Sequence, residues 1–308
     1  MTNAQTIELA QLLWYGSETT SPKLPDKGFT LCFETRPANS PNGPTLALFG
    51  AARLPGTYGE MYGGRVTGAT EILAINVTSG QLYRGKPEDA NATPLTPVIV
   101  EPRDAGSGKP KLLSLETYFN LDLGYQLSLG PTEGTYHVFC WLDEFVTRVH
   151  MVKVPANPNR PHNPEAHPVV NAAQVIEFKE SKHSPEPGPA KIALHAKVSR
   201  NTVASDPGIS VFAALDTAQI REKPPLPNSV PSRLNIFVRS HLDRVMQWCS
   251  LFVPEEVMLK SRGKFEFDPF RIMEAPKTPQ KVFILATFDS VRSDVFVLDL
   301  AKLTPTSW

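Results

Sequence analysis

Two stretches of the chain run in parallel without a gap. Residues 119–154 contain Phe119-Asn120-Leu121-Asp122, then Gly134-Thr135-Tyr136-His137-Val138-Phe139-Cys140-Trp141-Leu142-Asp143, then Val149-His150-Met151-Val152-Lys153-Val154. Residues 265–300 repeat the layout with Phe265-Glu266-Phe267-Asp268, Lys281-Val282-Phe283-Ile284-Leu285-Ala286-Thr287-Phe288-Asp289 and Val295-Phe296-Val297-Leu298-Asp299-Leu300. Phe119 falls on Phe265, Asp122 on Asp268, Thr132 on Thr278, Asp143 on Asp289 and Val149 on Val295. Each stretch reads as a short strand, a loop with Pro and Thr, and a strand–turn–strand hairpin. Self-similarity at a fixed spacing constrains a fold more than any single motif, because it makes one structural unit serve twice.

The echo extends upstream in the same order. Asn3–Leu9 parallels Asn171–Phe178, Phe29–Glu34 parallels Lys191–Lys197, Pro44–Ala52 parallels Gly208–Ala214, and Leu73–Ser79 parallels Leu234–Ser240. Each unit then has about seven short apolar runs, rich in β-branched and aromatic residues and separated by Gly, Pro, Asn and Asp. Short strands at regular spacing with turn signals between them read as a sandwich or barrel. The expectation is an all-β chain of two tandem, internally duplicated immunoglobulin-like β-sandwich domains. The first spans residues 1–154 and carries an inserted loop, 86–111, with one strand-like run at Pro97–Val100. A Pro-rich linker, 155–168, follows, and the second domain spans 169–308. Four prolines in Pro155–Pro164 favour an extended, exposed connector. Helix is expected to be scarce. Ile7–Trp14 is read as a strand with its echo at Val175–Lys179, and single helical turns are expected at Leu242–Cys249 and Pro254–Lys260.

Thirty prolines in 308 residues support that reading, since proline breaks helices and sits at strand edges and turns. Lys plus Arg equals Asp plus Glu at 31 each, so no basic excess exists to neutralise phosphates and nucleic acid is not an expected partner. No apolar run reaches the ~18 residues a membrane helix needs, and no membrane partner is expected. The first residues lack a basic region followed by an apolar one, which reads as a cytoplasmic protein. Cys32, Cys140 and Cys249 each lie in an apolar strand pattern and read as reduced thiols. A Cys32–Cys140 bridge is the alternative if the chain is exported.

The chemical motifs are sparse. Gly106-Ser107-Gly108-Lys109 ends like a phosphate-binding loop, but Pro110 stands where Ser or Thr belongs and removes a main-chain N–H. His162 and His167 flank Glu165 without further metal ligands nearby in sequence. His137, His150, His195 and His241 lie in or beside strand patterns. There is no nucleophile elbow, and Cys140 sits mid-strand, where burial keeps a thiol inert. Asp122, Asp268, Asp143 and Asp289 read as turn residues at strand ends rather than calcium ligands. No catalytic residue, metal site or cofactor is expected.

The segment Gly56–Gly68 is the most distinctive of the chain, and its counterpart, Thr217–Ser232, has no tyrosine. Tyr58 and Tyr62 offer large contact areas with few rotatable bonds, the glycines permit close approach, and Arg65 adds a planar donor. These three residues are the candidate site for a protein partner or small ligand. The opposing possibility is that the tyrosines pack onto the end of the domain. The leading reading of function is a non-enzymatic binding or accessory protein. The alternatives are an enzyme whose active site no local motif reveals, and a structural subunit using strand edges for assembly.

Overall fold

The computed structural model describes residues 22–36, 43–62, 66–87, 96–100, 111–166, 175–189, 191–199, 208–218 and 232–303. They group into two compact units. One runs to Asn76 and resumes over Gln81–Glu165; the other takes Val77–Gly80 and the residues from Ala166 onward. Among the described residues the chain is predominantly β, with eighteen strands and five short helices.

In the first unit, β1 (Gly28–Arg36), β2 (Thr45–Pro55), β5 (Thr96–Val100) and β6 (Lys111–Asp122) form one sheet in the order β1-β2-β6-β5. The strand expected inside the insert is β5, at the edge of that sheet. A second sheet orders β3 (Glu71–Asn76), β4 (Leu82–Gly85), β7 (Gly134–Leu142) and β8 (Phe145–Val146) as β4-β3-β7-β8, with β9 (His150–Val154) also paired to β7. Leu31, Leu48 and Phe119 of the first sheet share one core cluster with Ile72, Ala74, Val138 and Cys140 of the second. Burial of these side chains is the main driving force holding the sheets together. Gly50 lies opposite Phe119 in the ladder, and a Cβ there would stand 2.1 Å from the Phe119 ring. The ring therefore lies across the glycine, a packing that a larger residue would displace.

The second unit is one hydrogen-bonded sheet of nine strands. They are β10 (Ile176–Glu177), β11 (Lys191–Ser199), β12 (Gly208–Leu215), β13 (Arg233–Ser240), β14 (Met246–Phe252), β15 (Lys264–Phe267), β16 (Lys281–Phe288), β17 (Val291–Ser293) and β18 (Phe296–Asp299). The order is β10-β15-β12-β11-β17-β16-β13-β14, with β18 on β16. A short parallel pairing, Lys191 with Arg292 and Ile192 with Ser293, joins its two limbs. Ile192, Ile209 and Val211 of one limb share a cluster with Ile236, Val238, Val282 and Ile284 of the other.

The pairing registers recur. In β7–β8, Trp141 pairs with Val146 and Leu142 with Phe145; in β16–β17, Thr287 pairs with Arg292 and Phe288 with Val291. In β7–β9, Thr135 pairs with Lys153 and Val138 with His150; in β16–β18, Lys281 pairs with Asp299 and Ile284 with Phe296. The turn residues Asp143 and Asp289 both have positive φ, 48° and 50°, which suits a tight hairpin and which Asp tolerates better than most residues. The upstream echo needs one correction. Leu73 pairs with Phe139 and Phe237 with Leu285, so Phe237 rather than Leu234 is the counterpart of Leu73. A continuous apolar run has no alternation to fix its register, and these strands are buried on both faces: Leu73 and Phe139 are as inaccessible as Ile72 and Val138.

The helices are single turns. They are α1 (Thr57–Met61), α2 (Val66–Ala69), α3 (Leu123–Gln126), α4 (Glu255–Lys260) and α5 (Pro269–Ile272). Asp122 caps α3, its Oδ1 accepting from Gly124 N at 3.0 Å and Tyr125 N at 3.2 Å. Asp268 caps α5, accepting from Phe270 N at 2.9 Å. The turn expected at Pro254–Lys260 is α4. Leu242–Cys249 differs: it is a turn followed by β14, because its apolar residues pair with β13 instead of closing local hydrogen bonds.

The Pro-rich connector is fastened to the first unit along 155–165. Asn157 and Arg160 are buried there. Asn157 N donates to Pro131 O at 2.8 Å, Gly130 N to Pro161 O at 2.7 Å, Asn163 N to Ser128 O at 2.9 Å and Glu165 N to Leu82 O at 2.8 Å. The Arg160 guanidinium donates to Pro155 O. Prolines cannot donate, but their carbonyls accept, and the residues between them supply the donors. Six residues of this span, Ala156, Pro158, Asn159, Pro161, His162 and Asn163, are nonetheless exposed and it forms no helix or strand, in keeping with the expectation, while Asn157 and Arg160 anchor it. His167 and Pro168, like the segment Ile7–Trp14 and the loop tip Gly106–Lys109, lie outside the described residues.

Candidate functional site

Tyr58 sits in α1 and Tyr62, four residues on, is its C-cap, so one side of this turn carries both rings. The face packs on a small cluster formed by Ala52, Leu54, Val66, Ala69, Leu115, Leu142 and Phe145. Tyr58 meets Phe145 edge-on at a centroid distance of 5.4 Å and Tyr62 at 5.8 Å. The rings are only 5% and 8% exposed.

Their hydroxyls reach the β7–β8 turn. Tyr58 Oη donates to a Glu144 carboxylate oxygen, and Tyr62 Oη to Asp143 Oδ2. Asp143 also holds Trp141, whose Nε1 donates to the Asp143 carbonyl at 2.7 Å. Burial raises the Tyr58 pKa, and the hydrogen bond to Glu144 and the negative charges of Glu144 and Asp143 raise it further. The phenol is thus held neutral as a donor rather than poised as a base. Chemically the arrangement is a pair of phenol–carboxylate bonds, one buried at Asp143 and one part-buried at Glu144, tying a helical turn to a hairpin turn.

The tyrosines therefore point into the unit and not outward. The outward side of α1 carries Thr57, Glu60 and Met61, and Met61 is 50% exposed. Glu144 is exposed beside them. Arg65, with Gly63 and Gly64, lies outside the described residues. Sequence reasoning missed Asp143 and Glu144 as partners of the tyrosines. Their adjacency at a hairpin turn was visible, but nothing local says which side chain some eighty residues away they will meet. The second unit uses its equivalent aspartate differently: Asp289 Oδ1 accepts from Arg233 N at 3.0 Å.

The remaining candidates take structural places. His162 Nε2 lies 3.0 Å from Tyr83 Oη in the fastened connector. Burial pushes the Tyr83 phenol up to about 12, with the neighbouring Tyr136 adding to the shift. His150 packs beside Phe33, and its pKa is lowered to about 4 by burial and by Arg148. Cys32, Cys140 and Cys249 are free thiols, and burial raises the pKa of each. Among the described residues, no three or more His, Cys, Asp or Glu side chains gather in a way that could hold a metal ion, and no helix is long and apolar enough to cross a membrane.

No protein-family model matches the chain, and no curated protein matches it. Among solved structures, the Fcho1 Mu homology domain of Danio rerio with bound Eps15 peptide aligns over 92% of each chain, at 9% identity and a TM-score of 0.17. A likeness of that size carries no argument about fold or function.

Proposed function

We propose that this protein is a non-enzymatic recognition protein, binding a protein partner through loops of two tandem immunoglobulin-like β-sandwich domains that arose by duplication. The recurrence of the β7–β8–β9 register in β16–β17–β18 supports the duplication, and core clusters lined by two layers of strands in each unit support the sandwich. A cytoplasmic location is part of the same reading, in keeping with three free thiols.

The observation that carries the recognition reading is the double Tyr–carboxylate tie of α1 to the β7–β8 turn. A binding surface held rigid before contact loses less entropy on association. In this reading Tyr58 and Tyr62 position the surface, while Thr57, Glu60, Met61 and Glu144 meet the partner, and Arg65, outside the described residues, stays a candidate contact from the sequence alone. Loops held by a rigid scaffold are where binding residues concentrate.

The test begins with photo-methionine incorporation in the source cell, which places a cross-linker at the half-exposed Met61. A partner cross-linked there is purified and titrated calorimetrically against the wild type and against Met61→Lys combined with Glu60→Arg. The expected result is at least about a tenfold loss of affinity at an unchanged melting temperature, as befits a residue central to an interface. Unchanged affinity in the double variant would overturn the proposed site.

A further inference from the structure

We propose that one water molecule is built into the first unit as a bridge between Asp122, at the start of α3, and Arg160 of the connector, with Thr45 as its third partner. This goes beyond the recognition reading and concerns a different place.

Three polar atoms come together there without satisfying one another. Among the described residues, Thr45 Oγ1, Asp122 Oδ2 and Arg160 Nη1 are buried and have no hydrogen-bond partner. Thr45 and Arg160 are only 6% and 4% exposed. Both charged side chains are fixed by their other atoms. Asp122 Oδ1 accepts from Gly124 N and Tyr125 N, and Arg160 Nη2 donates to Pro155 O. Gly124 links the two, because its N–H is bonded to Asp122 and a Cβ on it would stand 2.7 Å from Arg160 Nε. Asn157 Nδ2 donates to Pro44 O at 3.2 Å, which brings the start of β2 to the same part of the connector. Burial raises the pKa of Asp122 and lowers that of Arg160, and the charge of each opposes the shift of the other. The two attract each other without closing to a direct hydrogen bond.

The second unit shows what the first has moved. Asp268 caps α5 as Asp122 caps α3, and its Oδ2 lies 3.9 Å from Arg271 Nε of the same turn. The repeat sets Tyr125 at the place of Arg271, so the cation facing the capping aspartate of the first unit comes from the connector instead.

The chemistry of the three atoms selects the ligand. A cation between them would face the guanidinium, and an anion would face the carboxylate. An apolar group would leave all three atoms unsatisfied. A water accepts from Arg160 Nη1 and donates to Asp122 Oδ2 and Thr45 Oγ1, which makes the three bonds usual for a buried water. Each buried polar atom then has its partner.

The test is a crystal structure of the full chain at about 1.8 Å or better. One water is expected within about 3.2 Å of both Asp122 Oδ2 and Arg160 Nη1, and Thr45 Oγ1 should complete its shell. A direct Asp122–Arg160 hydrogen bond would overturn the proposal. So would an ion at that point, recognised by its anomalous scattering, or the absence of density between the two side chains.

Discussion

Thr147 and Ser293 occupy the same point in their respective hairpins. Thr147 Oγ1 accepts from Cys140 N at 3.0 Å, and Ser293 Oγ accepts from Ala286 N at 3.0 Å. Each hydroxyl satisfies a buried main-chain N–H where the ladder steps between two short return strands. Leaving such a donor without a partner costs about 1–3 kcal/mol. Thr147→Val and Ser293→Ala are each expected to lower stability by that order in urea unfolding, and an unchanged midpoint for either would remove its hydroxyl from this role. His150 gives a second residue-scale expectation. Its pKa is about 4 in the folded chain, against the ordinary 6.5. The unfolded chain therefore binds the extra proton first as pH falls. The contribution of His150 is fully present above pH 6.5, declines below it and is lost as pH falls through 4. Thermal unfolding of wild type and His150→Gln across pH 7 to 4 should show the wild type losing ground over that window. Parallel curves would contradict it.

Short elements of this chain depend on their fastening. A helix of four or five residues is not stable alone. The α1 turn is held by two tyrosines, and α3 and α5 by the aspartate that precedes each. The connector follows the same logic on a larger scale, since the carbonyls of Pro131 and Pro161 and the donors of Asn157, Asn163 and Glu165 tie it to the first unit. A protease needs a segment it can pull free into an extended form, and such opening is costly where main-chain bonds and buried side chains must both be given up. Brief treatment with proteinase K, which cuts with little sequence preference, is expected to leave residues 155–165 intact. Prompt cleavage inside that span would show that the fastening is weak.

At the scale of the molecule, local signals and long-range contacts divide the work. The all-β class was legible because strand residues, turn residues and prolines act on the main chain nearest them, whatever lies elsewhere. The repeat was legible for the same reason, and the ladder registers follow its spacing through β7–β9 and β16–β18. Where a run was apolar throughout, as at Leu73, the sequence lacked the alternation that sets register, and the alignment slipped. The parallel β11–β17 pairing, which joins the second unit into one sheet, left no sequence signal at all. Tyr58 and Tyr62 were recognisable as a distinctive pair, but their partners stand 86 and 81 residues away. Whether a tyrosine faces solvent or a buried carboxylate depends on which elements arrive beside it. The sequence by itself determined strand content, turn positions and the repeated hairpin, because these follow from local steric preference and composition. Only the tertiary structure decided the fastening of the connector and the inward turn of the tyrosines, because each depends on contacts between residues remote in the chain.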